Sequence, residues 1–129
     1  PGKALSLAYG DYFAADFGKA RFDAAVSFET LHHFTHDEKR GLYCRVRAAL
    51  RPGGVYVEAD YMVHTQEEED ALFAARDRLL RETNAGKGRF HVDTPCSVEN
   101  QIRLLREAGF SAVEKEWEMG NTVILVAKG

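Results

Sequence analysis

Several side chains that can move protons or bind metals lie close together early in the chain. Glu29 ends an apolar run, and His32, His33 and His36 follow it closely. A histidine exchanges protons near neutral pH, so this segment offers a general base to a substrate that must lose a proton. Because His32 and His33 are adjacent, they point in different directions, and we expect one to face a cleft while the other packs or caps. We favour His33 as the substrate-side and catalytic candidate.

The same residue types also suggest metal binding, but the pattern is weak. Their spacing matches no familiar ligand motif, and neither Cys44 nor Cys96 lies beside them in the sequence. Two cysteines so far apart also make no disulfide framework. We therefore expect no metal site, and a cytoplasmic location in which thiols stay reduced.

Three apolar runs predict the strands that position these side chains. Leu5–Tyr9, Phe22–Phe28 and Val55–Ala59 are short, and the second is too continuously apolar for a half-exposed strand. Glu29 follows the second run and Asp60 follows the third. The carboxyl ends of parallel strands share one edge of a sheet, where open α/β sheets bind ligands.

Helix signals lie between and after these runs. Thr35 with Glu38, and Thr65 with Glu68, form capping boxes, in which a hydroxyl and a carboxylate satisfy free amides at a helix N-terminus. Ser97 predicts the start of a third helix. The helix after Thr65 is expected to bury an apolar stripe, which comprises Leu72, Phe73, Leu79 and Leu80.

The last part of the chain predicts a β-hairpin. Apolar and acidic residues alternate over 113–119, a Gly-Asn pair makes a two-residue turn, and 122–127 is almost entirely apolar. An all-apolar strand belongs inside a sheet and a charged alternating strand at its edge, so the second hairpin strand should dock on the parallel strands. Trp117 and Met119 are expected to pack on a helix. The predicted fold class is α/β.

Composition and charge narrow the function classes. The chain has 129 residues, 45% hydrophobic and 29% charged, so we expect a single domain over residues 1–129 with a packed core. A formal net charge of −3 lacks the basic excess that nucleic-acid binding needs. We therefore expect no nucleic acid as a partner. No run is long and apolar enough to span a bilayer, so we also expect no membrane as a partner.

Three segments, in this order, resemble the class I S-adenosylmethionine-dependent methyltransferases of the small-molecule type. They are Gly10-Asp11 after the first strand, the stretch from Phe22 to Phe34, and the stretch from Leu50 to Val57 with its Arg-Pro-Gly-Gly turn. The resemblance implies a Rossmann-like sheet, mostly parallel, that ends in an antiparallel hairpin. It also implies S-adenosyl-L-methionine as the cofactor and a small-molecule acceptor of the methyl group.

Two parts of that family pattern are missing from this sequence. No Gly-x-Gly-x-x-Gly turn follows a strand, and the acidic residue that holds the cofactor ribose has no counterpart. We therefore expect that the first and second strands of the fold are absent, and that the chain is a truncated, inactive fragment. Such a gap would leave strand edges unpaired, which favours self-association or a partner chain.

The resemblance also implies cofactor-binding residues. Asp11 would accept a hydrogen bond from the adenine amino group, unless it only shapes the turn, and the Tyr12 backbone N–H would face a ring nitrogen. The segment that ends the next strand would pass the methionine part of the cofactor, and an aromatic face or a carboxylate there attracts a sulfonium. The expected cofactor residues are Asp11, Tyr12, Ser27, Phe28, Glu29 and His32.

On the acceptor side, the family's pocket borders His33, Asp60 and Tyr61. A later loop is expected either to cover this pocket or to be solvated, and its polar and aromatic residues are Arg89, Phe90, His91 and Asp93.

Two other functions stay open beside methyl transfer. One is a non-catalytic binding or assembly domain that keeps the fold without the cofactor loop. The other is a different α/β enzyme, such as a nucleotide-linked reductase, whose likeness is architectural only.

Overall fold

The computed structural model describes residues 8–82 and 93–129. The expected first strand, Leu5–Tyr9, lies largely outside the described residues. Within the described ranges, no helix has the length and apolar character needed to cross a bilayer. The elements in chain order are β1 (Phe22–Phe28), α1 (His36–Ala49), β2 (Leu50–Tyr61), α2 (Gln66–Glu82), α3 (Val98–Glu107), β3 (Ala112–Met119) and β4 (Thr122–Lys128).

The four strands form one mixed sheet in the order β1-β2-β4-β3. β1 and β2 are parallel, whereas β4 pairs antiparallel with both β2 and β3. The prediction that the hairpin docks through its apolar second strand is confirmed. Within the described part of the chain, β1 has a neighbour on one side only, so its outer edge presents unpaired backbone groups.

The helices α1 and α3 pack on one face of the sheet and enclose the core. Alternate residues of the two central strands point into it, which is why β2 and β4 show a period of two in their burial. The largest buried apolar side chains of this core are Tyr43, Phe110, Leu31, Met62, Leu104, Leu105, Leu125 and Val123.

Trp117 and Met119 do not pack on a helix, contrary to expectation. Lys115 pairs with Leu125 but Trp117 pairs with Ile124, so the register of β3 shifts by one residue between them. Because side chains alternate along a strand, this bulge moves Trp117 and Met119 to the face opposite α1 and α3. They are 45% and 70% exposed.

The helix α2 is held mainly through its first turn, and its predicted apolar stripe is only half-buried. Glu69 is its buried residue, and its carboxylate accepts hydrogen bonds from the Ser97 backbone N–H (2.8 Å) and the Asn100 amide (3.0 Å). Burial raises the pKa of Glu69, but the hydrogen bonds from Asn100, Ser97 and Gln66 outweigh it and leave that pKa below the usual value. This carboxylate therefore ties α2 to the start of α3.

The capping box predicted at Thr35 is present, and it offers a first test of the fold. The Thr35 hydroxyl accepts from the Glu38 backbone N–H, and the Glu38 carboxylate accepts from the Thr35 backbone N–H. Thr35→Ala is expected to lower the free energy of unfolding by about 1 kcal/mol, because the Glu38 backbone N–H loses its acceptor. Urea unfolding measures this loss, and Cys44→Ala on the exposed face of the same helix is the control. Equal effects of both substitutions would contradict the assignment.

Candidate functional site

Asp60 organises the sheet edge at which the carboxyl ends of β1 and β2 meet. It is 2% exposed, and one carboxylate oxygen accepts a hydrogen bond from the Leu31 backbone N–H at 2.8 Å. The other oxygen lies 2.6 Å from Nδ1 of His32 and also accepts from the Tyr61 backbone N–H. A buried carboxylate needs such donors to offset its lost hydration. Asp60 thereby fixes the loop that follows β1.

His32 is held at both its ring and its backbone. Its Nδ1 donates to Asp60, and its carbonyl accepts from the Thr94 backbone N–H at 2.6 Å. The ring is 12% exposed, and its Nε2 lies 3.6 Å from an Asp93 oxygen. With Nδ1 committed as the donor, the neutral ring presents an unprotonated Nε2, which can accept a proton.

His33 and Asp93 complete a cluster around that nitrogen. Nδ1 of His33 lies 3.3 Å from the same Asp93 oxygen, and the two histidine rings are 4.0 Å apart. The His33 side chain is more exposed than that of His32. The structure therefore brings Asp93 close to both histidines. Arg89, Phe90 and His91 of the same loop lie outside the described residues.

A groove of about 440 Å³ runs beside β1. Three of the expected cofactor residues line it, namely Tyr12, Ser27 and Phe28, and most of the other lining side chains are apolar. The Thr30 hydroxyl also lines the groove, and it is buried without a hydrogen-bond partner among the described residues. A polar ligand atom in the groove would satisfy that hydroxyl.

Two other expected cofactor residues have distinct surroundings. One oxygen of Asp11 accepts from the Phe13 backbone N–H at 2.9 Å, so the carboxylate at least shapes the turn. Glu29 follows β1 with a positive φ of 47° and an exposed side chain, and its N–H donates to the Ala59 carbonyl. A positive φ in a residue other than glycine costs free energy and occurs often at ligand sites.

Tyr61, whose ring is 5.8 Å from that of His32, borders the cluster.

A buried polar network, which the sequence pattern did not indicate, crosses the core behind this edge. The carboxylate of Glu58 accepts hydrogen bonds from the Tyr43 hydroxyl (2.6 Å), the Tyr56 hydroxyl (2.9 Å) and the Gln101 amide. Burial raises the pKa of Glu58, against the opposing effects of the Tyr43 hydrogen bond and the Lys39 charge. Burial likewise raises the pKa of both tyrosines well above the usual range.

This network reaches the groove at the end of β1. The Ser27 hydroxyl lies 2.7 Å from the Tyr56 hydroxyl, which donates to Glu58, so Ser27 acts as the donor to Tyr56. Ser27 is thus both a groove residue and the outer end of the core network.

Comparison with known proteins relates the chain to methyltransferases. Residues 2–57 match the family described as "Methyltransferase domain". Sterol 24-C-methyltransferase ERG6A of Gibberella zeae is 26% identical over 113 residues, which cover 87% of this chain and 28% of that protein. Carboxy-S-adenosyl-L-methionine synthase of Pseudomonas fluorescens is 28% identical over 127 residues, which cover 92% of this chain and 51% of that protein. The chain thus spans about half of these relatives' length or less.

The fold of this chain is similar to that of solved methyltransferase structures. Human N-acetylserotonin methyltransferase, solved in complex with S-adenosylmethionine, superposes with a TM-score of 0.63 at 17% identity, over 92% of this chain and 32% of that one. The likeness of fold covers 92% of this chain, which is more than the segment 2–57 that matches the family by sequence. Residues 2–57 are therefore similar in sequence to the methyltransferase domain family, and the fold of the chain is similar to that of solved methyltransferases.

Proposed function

We propose that this chain supplies the acceptor side of an enzyme that transfers a methyl group from S-adenosylmethionine to an oxygen of a small molecule. The Asp60–His32 pair carries the proposal, since an imidazole held by a buried carboxylate suits an acceptor that must lose a proton. A hydroxyl is such an acceptor. The names of the relatives support the cofactor and the reaction class, because they include a sterol methyltransferase and a structure with S-adenosylmethionine bound.

The groove beside β1 fits part of the cofactor. Its apolar walls suit flat or methylene groups, and the orphaned Thr30 hydroxyl lacks a polar partner that a ligand can provide. The Phe28 ring and the Glu29 carboxylate, at the end of β1, would attract a cationic sulfonium. When bound, the cofactor supplies an electrophilic methyl group for in-line displacement.

The histidine cluster would handle the acceptor's proton. In this proposal the acceptor hydroxyl binds to Nε2 of His32 and loses its proton there, while Asp60 holds Nδ1–H and stabilises the imidazolium. Asp93 places a second carboxylate oxygen 3.6 Å from the same nitrogen. Tyr61 and His33 border the pocket and align the acceptor.

Titration of S-adenosylhomocysteine into the native polypeptide that contains this sequence tests the cofactor site. Isothermal calorimetry should show saturable one-to-one binding. Phe28→Ala should weaken it roughly tenfold, about 1.4 kcal/mol, because an exposed ring at the end of the groove loses its contact with the ligand. Asp11→Ala should weaken it as well if the second carboxylate oxygen meets the adenine.

Met119→Ala is the matched control for this titration, since Met119 is a similarly exposed apolar residue at the end of β3. If Phe28→Ala and Met119→Ala bind S-adenosylhomocysteine with equal affinity, then the end of the groove at Phe28 is not part of the cofactor site. A folded native protein that binds no S-adenosylhomocysteine would refute the proposed function.

A second candidate function is a non-catalytic assembly domain. The free edge of β1 and the exposed apolar side chains of Val26 and Phe28 favour it, because such surfaces promote association with another chain. Sedimentation across a range of protein concentrations tests this alternative. It would be supported by a protein that self-associates and does not bind S-adenosylhomocysteine.

A further inference from the structure

The starts of α1, α2 and α3 lie close together, away from the acceptor pocket. His36 is the first residue of α1, Glu69 lies in the first turns of α2, and Cys96 directly precedes the N-cap of α3. One ligand atom from each, a nitrogen, a carboxylate oxygen and a sulfur, lie within 4.8 Å of one another. Sequence spacing does not indicate this grouping, because Cys96 is far from His36 along the chain.

His36 is the member whose hydrogen bonding is incomplete. Its Nε2 is buried and makes no hydrogen bond within the described part of the chain, and the nearest Glu69 oxygen is 3.4 Å away. The ring packs edge-on against Phe73 of α2, with 5.6 Å between the ring centroids. Buried polar atoms without partners are rare in folded proteins, and an unplaced ion is one of their explanations.

The other two members are already oriented. Glu69 is fixed by the Ser97 backbone N–H and the Asn100 amide, as carboxylates that ligate metals are fixed by outer-shell donors. Cys96 has no exposed surface, and its sulfur accepts a hydrogen bond from the Lys39 ammonium at 3.2 Å. Burial raises the pKa of Cys96 against the opposing charge of Lys39, so a metal ion that binds the sulfur would displace its proton.

We propose that His36, Glu69 and Cys96 bind a divalent cation of the zinc class through Nε2, Oε2 and Sγ. Imidazole, carboxylate and thiolate together suit zinc and its substitute cobalt better than magnesium or calcium, which prefer oxygen ligands only. Zinc lies about 2.0 Å from nitrogen and about 2.3 Å from sulfur, so modest side-chain rotation closes the group around one ion. The described residues supply three ligands, which leaves one tetrahedral position to water.

The proposed metal site would stabilise the segment that contacts the proposed acceptor pocket. Cys96 follows the segment in which Asp93 faces His32 and Thr94 donates to the His32 carbonyl. The Cys96 carbonyl itself accepts from the Val63 backbone N–H at 3.0 Å, just beyond β2. A bound ion would therefore join α1, α2 and the segment 93–96, and would stabilise the folded protein whether or not it catalyses methyl transfer.

Cobalt spectroscopy on the native polypeptide, stripped of metal by chelation, tests this site directly. One equivalent of Co²⁺ should produce a thiolate-to-cobalt charge-transfer band and raise Tm. Cys96→Ala and His36→Gln should each weaken Zn²⁺ binding by more than the roughly 10- to 100-fold that loss of an outer-shell partner costs. Cys44→Ala, which removes the exposed cysteine, should leave the band and the affinity unchanged.

Two outcomes would overturn the proposal. One is the absence of a charge-transfer band in the unmutated protein. The other is a band that persists in Cys96→Ala and disappears in Cys44→Ala, which would indicate adventitious binding at the surface. His36→Gln changes a partly exposed residue, so it tests the site even if Cys96→Ala does not fold. Since no readout depends on activity, failure here leaves the methyltransferase proposal intact.

Discussion

His32→Gln is expected to lower kcat for methyl transfer to a hydroxyl acceptor by roughly 10²- to 10⁴-fold, the usual contribution of a positioned general base. Glutamine can still donate a hydrogen bond to Asp60, so the loop after β1 should keep its conformation. It cannot take the acceptor's proton. The affinity for S-adenosylhomocysteine should therefore change little, and steady-state kinetics with calorimetry separates the two effects.

His33→Gln is the matched control for that substitution. The residues are adjacent and both lie near Asp93, but the structure shows the bond to buried Asp60 at His32. We expect His33→Gln to change kcat by less than about tenfold. If instead His33→Gln abolishes activity and His32→Gln is mild, then His33, the residue favoured from sequence, is the base. Equal and small effects would mean that the acceptor needs no general base.

Local chemistry in the sequence was sufficient to place most of the elements. Thr35, Thr65 and Ser97 each precede a helix because a hydroxyl satisfies amides that the helix cannot pair itself. β1 begins and ends where the apolar run does, and the hairpin turn lies between two strands of opposite character. These signals need only a few neighbouring residues, so a single sequence contains them.

Contacts between distant segments could not be predicted in this way. The bulge in β3 that turns Trp117 outward depends on pairing with β4 and has no signature in the alternation itself. Similarly, the sequence favours His33 as the base, whereas the end of β2 places Asp60 beside His32. The grouping of His36 with Cys96 depends on the packing of three helices. Periodicity indicates which face of an element is buried, but not which polar groups meet there.

Glu58 illustrates the same limit and leads to a large expected effect on stability. It occupies a core-facing position of β2 between Tyr56 and Asp60, where an apolar residue would normally lie. Glu58→Ala is expected to lower the free energy of unfolding by about 3–5 kcal/mol. The substitution removes an acceptor that the two tyrosine hydroxyls and the Gln101 amide share, and it removes the carboxyl group that interacts with the charge of buried Lys39. Urea unfolding at neutral pH measures the loss.

Glu58→Gln separates the charge from the hydrogen bonds. Because burial raises the pKa of Glu58 above 4.5, its value in the unfolded chain, the folded state holds the proton more tightly. The stability that this proton contributes is fully present below the unfolded pKa and is lost as pH rises through the folded pKa. Glutamine does not titrate, so the stability of the unmutated protein relative to Glu58→Gln should fall as pH rises above about 4.5.

Urea unfolding of the unmutated protein and of Glu58→Gln, repeated as pH is raised above about 4.5, measures this difference in stability. A stability difference that stays constant with pH would show that Glu58 titrates alike in the folded and unfolded chains. A difference that grows with pH would show the opposite shift, in which the two tyrosines and Lys39 hold Glu58 as a carboxylate against the cost of burial. In either case the loss caused by Glu58→Ala would still measure how strongly the core depends on this acceptor.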